Sequence, residues 1–452
     1  MWCLVRSAVL SVALLCSASV LASEVSSNAL ADYVAAPDAS YQWREVGSGR
    51  IGNVEYIELI LTSQTWRGMP WKHQLILLRP PKIDASASRG LLFVHGGRWR
   101  DEYEAGYQKK LPRAAPMFAR LAEVSGAPMG VLLQVPHQPL FERTEDALIA
   151  YTFDRYLDTG ESDWPLLLPM VKSAVRGMDA MQEVARQRWN LPIESFTITG
   201  ASKRGWTSWL TAAADTRIAS FAPIVIDMLN LPTQIKLQRA TFGELSEQVA
   251  DYSAINLPQR LNSDRGRSLL DAVDPYSYRE GYTQPKLLVF GTNDRYWPLT
   301  AANVYWQDLP EPKHLLYIPN QGHGIKDVNK LIASLSAFHR HAAAGTPLPK
   351  LTWEFDTAQR SIALQVQADR DPQDVKIWYA TGATRDFRES KWRSQRCKRT
   401  SGHHLCKHPI APTGYSAAFA EISFRDADRP KYSLTTTVCM ASRTDTTIPE
   451  CK

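Results

Sequence analysis

The stretch "TITGASKRGWTSWL", Thr197 to Leu210, decides how this chain is read. An apolar run ends at Gly200, a serine follows between small residues, and a basic pair opens a segment with helical spacing. That is the order of a nucleophile elbow, in which a strand turns sharply into a helix and presents a serine on the strained tip, with glycine wherever a Cβ would clash. One position departs from the usual G-x-S-x-G pattern. Two residues after Ser202 stands Arg204, and the glycine comes one place late, as Gly205. A serine after a strand is in most proteins only a helix N-cap, so its surroundings have to distinguish the two roles.

On either side lie short, nearly continuous apolar runs: "GLLFVHGG" (90–97), "PMGVLLQVP" (128–136), "ASFAPIVID" (219–227), "KLLVFGTND" (286–294) and "HLLYIPN" (314–320). Such runs suit strands buried on both faces of a parallel sheet. Between them are helical patterns, as in 168–188. The alternation predicts an α/β chain with an open, mostly parallel, doubly wound sheet. Upstream, "VEYIELILTSQTWRGMPWKHQLILLRPP" alternates at period two and predicts antiparallel strands leading into the sheet. Residues 231–282 exceed one crossover and predict a lid over the strand ends. After "GTPLP" the alternating segments from "LTWEFD" to "YSLTTTVCMAS" predict a small β-sandwich over 350–452, separate from a hydrolase domain over 23–345.

Open α/β sheets bind ligands at the carboxyl ends of their strands. Four runs end in reactive groups: His95-Gly96-Gly97, Ser202, Asp294 and His323. Neutral serine is a poor nucleophile, so a base must take its proton and an acid must hold that base in the right tautomer. Ser202, Asp294 and His323 stand in the hydrolase chain order of nucleophile, acid and histidine. Asp227, closing the strand before, is the rival acid. The N–H groups of Lys203 and the Gly96-Gly97 turn are the candidate oxyanion donors. Trp99, Trp206, Tyr296 and Trp297 lie beside these motifs as candidate pocket walls, with His137 at the rim.

The bulk numbers agree with an exported globular protein. The 452 residues are 44% hydrophobic and 22% charged, enough for two domains. "MWCLVRSAVLSVALLCSASVLA" has an early arginine, an apolar run and small residues before Ala22, the pattern of a signal peptide over 1–22. No later segment is apolar and long enough to span a membrane. Loss of the leader leaves Cys397, Cys406, Cys439 and Cys451, an even set expected to form two disulfides. The close pairs 397 with 406 and 439 with 451 fit local loops, although three pairings are open. "HHLCKH" (403–408) offers a competing metal reading, set aside because an exported cysteine is more often oxidised than metallated. The net charge of +6 does not imply nucleic acid. A basic cluster from Arg385 to Lys407 is a solvated face or a contact for an anionic cell surface.

The blocks "LTSQTWRG", "WKHQL", "GASKRGWTSWLTAAADTRIASFAPIVID", "DPYSY" and "VKIWYATGATRDFR" resemble those of the PhoPQ-activated pathogenicity-related protein family. This resemblance extends from about Asp32 to Trp392 and implies an exported α/β-hydrolase-like protein, with the late glycine as a family feature. It supports Ser202, Asp294 and His323 in the roles given above. His137 stands where the family's Pro-Asn-Gln-Pro block would have asparagine, which changes the expected rim contacts. A weaker similarity is to glucuronoyl esterases, whose elbow also delays its glycine and in which the residue at the Lys203 position helps to bind the oxyanion.

The expectation is a serine hydrolase, periplasmic or secreted, acting on a small-molecule, lipid, glycan or peptide ester or amide without a metal or organic cofactor. A peptidase would need carboxylates for the substrate amine, for which Glu142, Glu145 and Asp146 are candidates. The reading from another class is a secreted binding or regulatory protein that keeps the hydrolase scaffold and touches cells through its basic C-terminal region.

Overall fold

The computed structural model describes residues 28–84, 88–106 and 111–451. The expected signal peptide, with Cys3 and Cys16, lies outside the described residues. Nine strands form the first part: β1 Gln42–Ile51, β2 Val54–Trp66, β3 Met69–Arg79, β4 Arg89–Val94, β5 Met129–Leu132, β6 Ser195–Ala201, β7 Ile218–Ile224, β8 Lys286–Gly291 and β9 Lys313–Ile318. They are ordered 1-2-3-5-4-6-7-8-9. β1 to β3 are antiparallel, β3 meets β5 antiparallel, and from β5 to β9 every pair is parallel. This is the mostly parallel sheet expected from the apolar runs, in the α/β-hydrolase fold expected from the order of the site residues and the family resemblance.

Each strand feeds two cores because its side chains alternate. In β4, Leu92 and Val94 join Phe196, Trp209 and Met178 on one face, while Leu91 and Phe93 join Phe118, Leu335 and Ile224 on the other. The helix after β4, Ala115–Ser125, packs on the second face, and the helix after β6, Lys203–Ala214, packs on the first. β4 and β6 are neighbours whose chains leave to opposite faces, which makes a crevice at their carboxyl ends, where ligands bind in such sheets. The His95-Gly96-Gly97 turn and Ser202 stand on its two sides.

The segment expected to form a lid, 231–282, consists of helices Leu231–Phe242, Ala250–Ala254, Leu257–Arg260 and Asp264–Val273, followed by a 3-10 turn at Pro275–Gly281. The C-terminal part is β10 Leu351–Asp356, β11 Ser361–Ala368, β12 Asp374–Gly382, β13 Arg393–Arg396, β14 Lys398–Thr400, β15 His403–Pro409, β16 Tyr415–Phe424, β17 Tyr432–Thr435 and β18 Cys439–Ala441. It forms two layers, but one of them is not separate. β17 pairs with β9 through Thr435 and Leu315, so β17, β16, β12 and β13 continue the hydrolase sheet, with β18 on β16. The second layer is β10-β11-β15-β14.

The core continues as well, since Ile318 of β9 and Leu335 share one cluster with Leu364 of β11, Ile377 of β12 and Ile422 of β16. Disulfides join Cys397 to Cys406 and Cys439 to Cys451, the local pairs. Cys406 is thereby removed from the alternative metal reading, and His408 stacks on Tyr379. Of the basic cluster, Arg385, Arg388, Arg396 and Arg399 are paired with carboxylates, so much of its charge is neutralised locally. No helix among the described residues is long and apolar enough to cross a membrane.

Candidate active site

Ser202 occupies the N-cap position of the Lys203–Ala214 helix at φ 58° and ψ −128°, yet its side chain makes no capping bond. Its N–H donates to the Ile224 carbonyl at 2.8 Å and its carbonyl accepts the first intrahelical bond, from Trp206. A left-handed backbone at a residue with a Cβ costs about 1–3 kcal/mol and persists only where the surroundings impose it. They do so here through two glycines. A Cβ on Gly200 would meet the Arg204 carbonyl at 2.7 Å, and one on Gly205 would meet Ile226 at 2.7 Å and the Gly200 carbonyl at 2.9 Å. The helix thus packs onto the strand through Gly205, and the position before it is free to carry a side chain.

The Ser202 hydroxyl lies 2.7 Å from His323 Nε2, and His323 Nδ1 lies 2.9 Å from Asp294 Oδ2 and 3.1 Å from Oδ1. Serine O–H can donate to one ring nitrogen while the other donates to the carboxylate, the arrangement that activates a hydroxyl nucleophile. Tyr296 stacks on the imidazole, with centroids 4.1 Å apart. The rival acid is placed differently. Asp227 is buried and accepts a 2.6 Å hydrogen bond from the Tyr305 hydroxyl, while His323 is bonded to Asp294. Burial, helped by the nearby charge of Asp294 and opposed by the Tyr305 bond, pushes the Asp227 carboxyl up to about 8.

Two cavities meet at Ser202. One, lined by His95, Gly96, Gly97, Lys203, Arg204 and Tyr296 among others, holds the expected oxyanion donors. Lys203 begins its helix, so its N–H has no intrahelical acceptor. Gly97 has φ 125°, a conformation that favours glycine. Val225, in the same wall, has φ 46°, which is exceptional for a β-branched residue.

The cations that follow the serine face carboxylates. The Lys203 ammonium lies 3.0 Å from Glu145 and 3.1 Å from Asp146. Arg204 forks onto Glu145 at 2.8 and 2.9 Å, donates to the Val135 carbonyl, and lies where a Cβ on Gly96 would fall. Burial raises the Glu145 carboxyl, but the bonds and charges of Arg204, then Lys203 and Gln138, outweigh it and bring it down to about 2. Gln138 also donates to the Gly97 carbonyl at 2.9 Å, so the glycine turn is braced from Glu145 through one amide. Asp146 accepts from Tyr252 of the lid and from Tyr296.

Residues 30–388 match the family described as PhoPQ-activated pathogenicity-related protein. The chain belongs to that family. It is 33% identical over 393 residues to autocrine proliferation repressor protein A of Dictyostelium discoideum, covering 81% of this chain and 77% of that one. Among solved structures it is similar to acetyl xylan esterase 1 from a Thermoanaerobacterium species, with a TM-score of 0.43 and 16% identity over 70% of this chain and 91% of that one. It is also similar to an S-formylglutathione hydrolase from Agrobacterium tumefaciens, with a TM-score of 0.43 and 14% identity over 67% and 99% of the two chains.

In this PhoPQ-related chain, Trp206, Tyr296 and Trp297, the candidate pocket walls, line the second cavity beside Ser202. Trp99 and His137 do not belong to either lining. Their rings pack in a tilted pair with centroids 5.8 Å apart, His137 Nδ1 lies 3.2 Å from the Lys72 N–H and 3.0 Å from its carbonyl and bonds one or the other according to its tautomer, and burial lowers its pKa. The Lys203 side chain is occupied by two carboxylates, which leaves its backbone N–H, not its ammonium, as the oxyanion candidate. Glu142 is exposed, and Glu145 and Asp146 face cations. Sequence reading missed Gln138 and Tyr252; the signal for the first was Arg204, a charged residue at an elbow position that must have a buried partner.

Proposed function

We propose that this PhoPQ-related protein is a serine hydrolase of ester or amide bonds. The observation that carries the reading is the Ser202 hydroxyl bonded to His323 at 2.7 Å, where a structural N-cap would bond its own helix. In the proposed reaction Ser202 Oγ attacks the substrate carbonyl carbon as its proton passes to His323 Nε2. Asp294 holds the Nδ1–H and stabilises the imidazolium. The carbonyl oxygen, now negative, is met by the N–H groups of Lys203 and the Gly96-Gly97 turn, which the Gln138–Glu145–Arg204 brace keeps in place. His323 then gives its proton to the leaving group. Water, activated by the same imidazole, attacks the acyl-serine, and the carbonyl re-forms with Ser202 as leaving group.

The two disulfides fit an oxidising compartment and support export. A second reading, a secreted regulator that acts without chemistry, draws on the name of the Dictyostelium relative. The assembled Ser–His–Asp chain favours the enzyme. Hydrolysis of p-nitrophenyl esters by the wild type, reduced about 10⁴-fold or more in Ser202→Ala, tests this; equal rates in the two proteins would overturn it.

A further inference from the structure

Resting on the hydrolase reading, we propose that the substrate is an uncharged ester bearing an apolar group of several carbons, seated beneath the 231–282 insertion. The second cavity opens at Ser202 and is walled in good part by residues of the 231–282 insertion. Ser202, Lys203 and His323 form one edge, and Ile226, Leu231, Ile235, Leu245, Val249 and Leu257 supply much of the wall. Several of its polar wall groups are already used, while Trp297 Nε1 is buried without a partner among the described residues. Gln238 Oε1 accepts from the Ser246 N–H, Ser253 donates to the Val249 carbonyl, and both Asp146 oxygens are bonded. A ligand in this space meets mainly hydrocarbon.

The opposite side excludes charge by a different means. Among the described residues, the charged groups lining either cavity, histidines aside, are Lys203, Arg204, Glu145 and Asp146. They are two cations and two carboxylates already paired with one another. A uronate would find no free cation and an N-terminal ammonium no free carboxylate, and either would have to break a partly buried pair. The apolar cavity thus selects for hydrocarbon, and the closed charge network selects against ions.

Burying one methylene corresponds to about a three- to fourfold gain in binding. Two ester series on the mature protein locate the apolar group: p-nitrophenyl alkanoates from acetate to decanoate for the acyl side, and acetates of straight-chain alcohols for the leaving side. The inference predicts that kcat/KM climbs with chain length in one series. Leu245→Trp and Ile235→Trp, which fill the cavity from separate lid positions, should each cut the octanoate-to-acetate ratio, or its alcohol equivalent, about tenfold or more. Thermal unfolding of each variant checks that it is folded.

A flat profile in both series, a rise untouched by both tryptophans in folded protein, or a preference for methyl glucuronate or aminoacyl anilides would overturn the inference. Fluorophosphonate labelling of the wild type separates the two levels. Labelled Ser202 with a flat profile overturns the substrate class alone, whereas no labelling and no ester turnover overturns the hydrolase reading and this inference with it.

Discussion

Ser202 stands in a left-handed backbone and bonds His323, while Asp227, a few residues past the neighbouring strand, is sealed against Tyr305. The two residues show how position in the sheet divides similar strand-end signals. Asp294 lies on the loop that reaches His323; Asp227 faces the core. Its raised pKa has a consequence for stability. An unfolded aspartate loses its proton near pH 4, whereas the folded group holds its proton until about pH 8. Between these values the folded state binds more protons than the unfolded one, so the contribution of Asp227 is full below about pH 4 and is lost as pH rises to about 8. Asp227→Asn keeps an acceptor for Tyr305 and removes the titration. Its unfolding free energy should therefore fall less than that of the wild type between pH 5 and pH 8, as measured in urea; equal slopes would refute the assignment.

At the scale of the element, the elbow is a strand and a helix in contact through Gly200 and Gly205, and Arg204 uses the position thus released to brace the Gly96-Gly97 turn. Arg204→Gly restores the common G-x-S-x-G spelling. It should nevertheless lower kcat/KM on p-nitrophenyl acetate about tenfold or more, because a fork bond to a partly buried carboxylate is lost; unchanged kinetics would show that the brace is idle. The strands and the lid were legible in the sequence because runs such as "KLLVFG" are apolar on both faces and end in Gly, Asn, Asp or His. β1 was not, since its exposed residues carry little periodicity, and β13 and β14 are short and charged. Chain order singled out Ser202, Asp294 and His323 as a candidate triad, and their side chains meet in the fold. The carboxylate partners of Lys203 and Arg204 did not, because a contact between residues 145 and 204 leaves no local pattern.

At the scale of the molecule, the C-terminal strands are an extension of the sheet and support the loops of the site. Asn293, beside Asp294, donates to the carbonyls of Arg388 and Ser390, at 3.1 and 2.7 Å. Asn320, near His323, exchanges bonds with the Trp392 backbone at 3.1 and 2.8 Å. Ion pairs from Arg295 to Glu389 and from Arg388 to Glu247 tie the same segment to the Asp294 loop and to the 231–282 insertion. Sequence alone suggested a detachable sandwich; the single pairing of β17 with β9 makes the boundary a sheet edge instead. Truncation after Thr346 uncovers that edge and the shared core, and should abolish ester turnover together with the cooperative thermal transition. A truncated protein that keeps wild-type kcat would contradict this.

The central claim is that Ser202 is an activated nucleophile. Its most direct test is a fluorophosphonate probe applied to the mature protein, with intact mass and peptide mapping, beside Ser202→Ala. A single adduct on Ser202, absent from the variant, is expected. Folded wild-type protein that takes up no probe, or takes it up equally after the substitution, would contradict it.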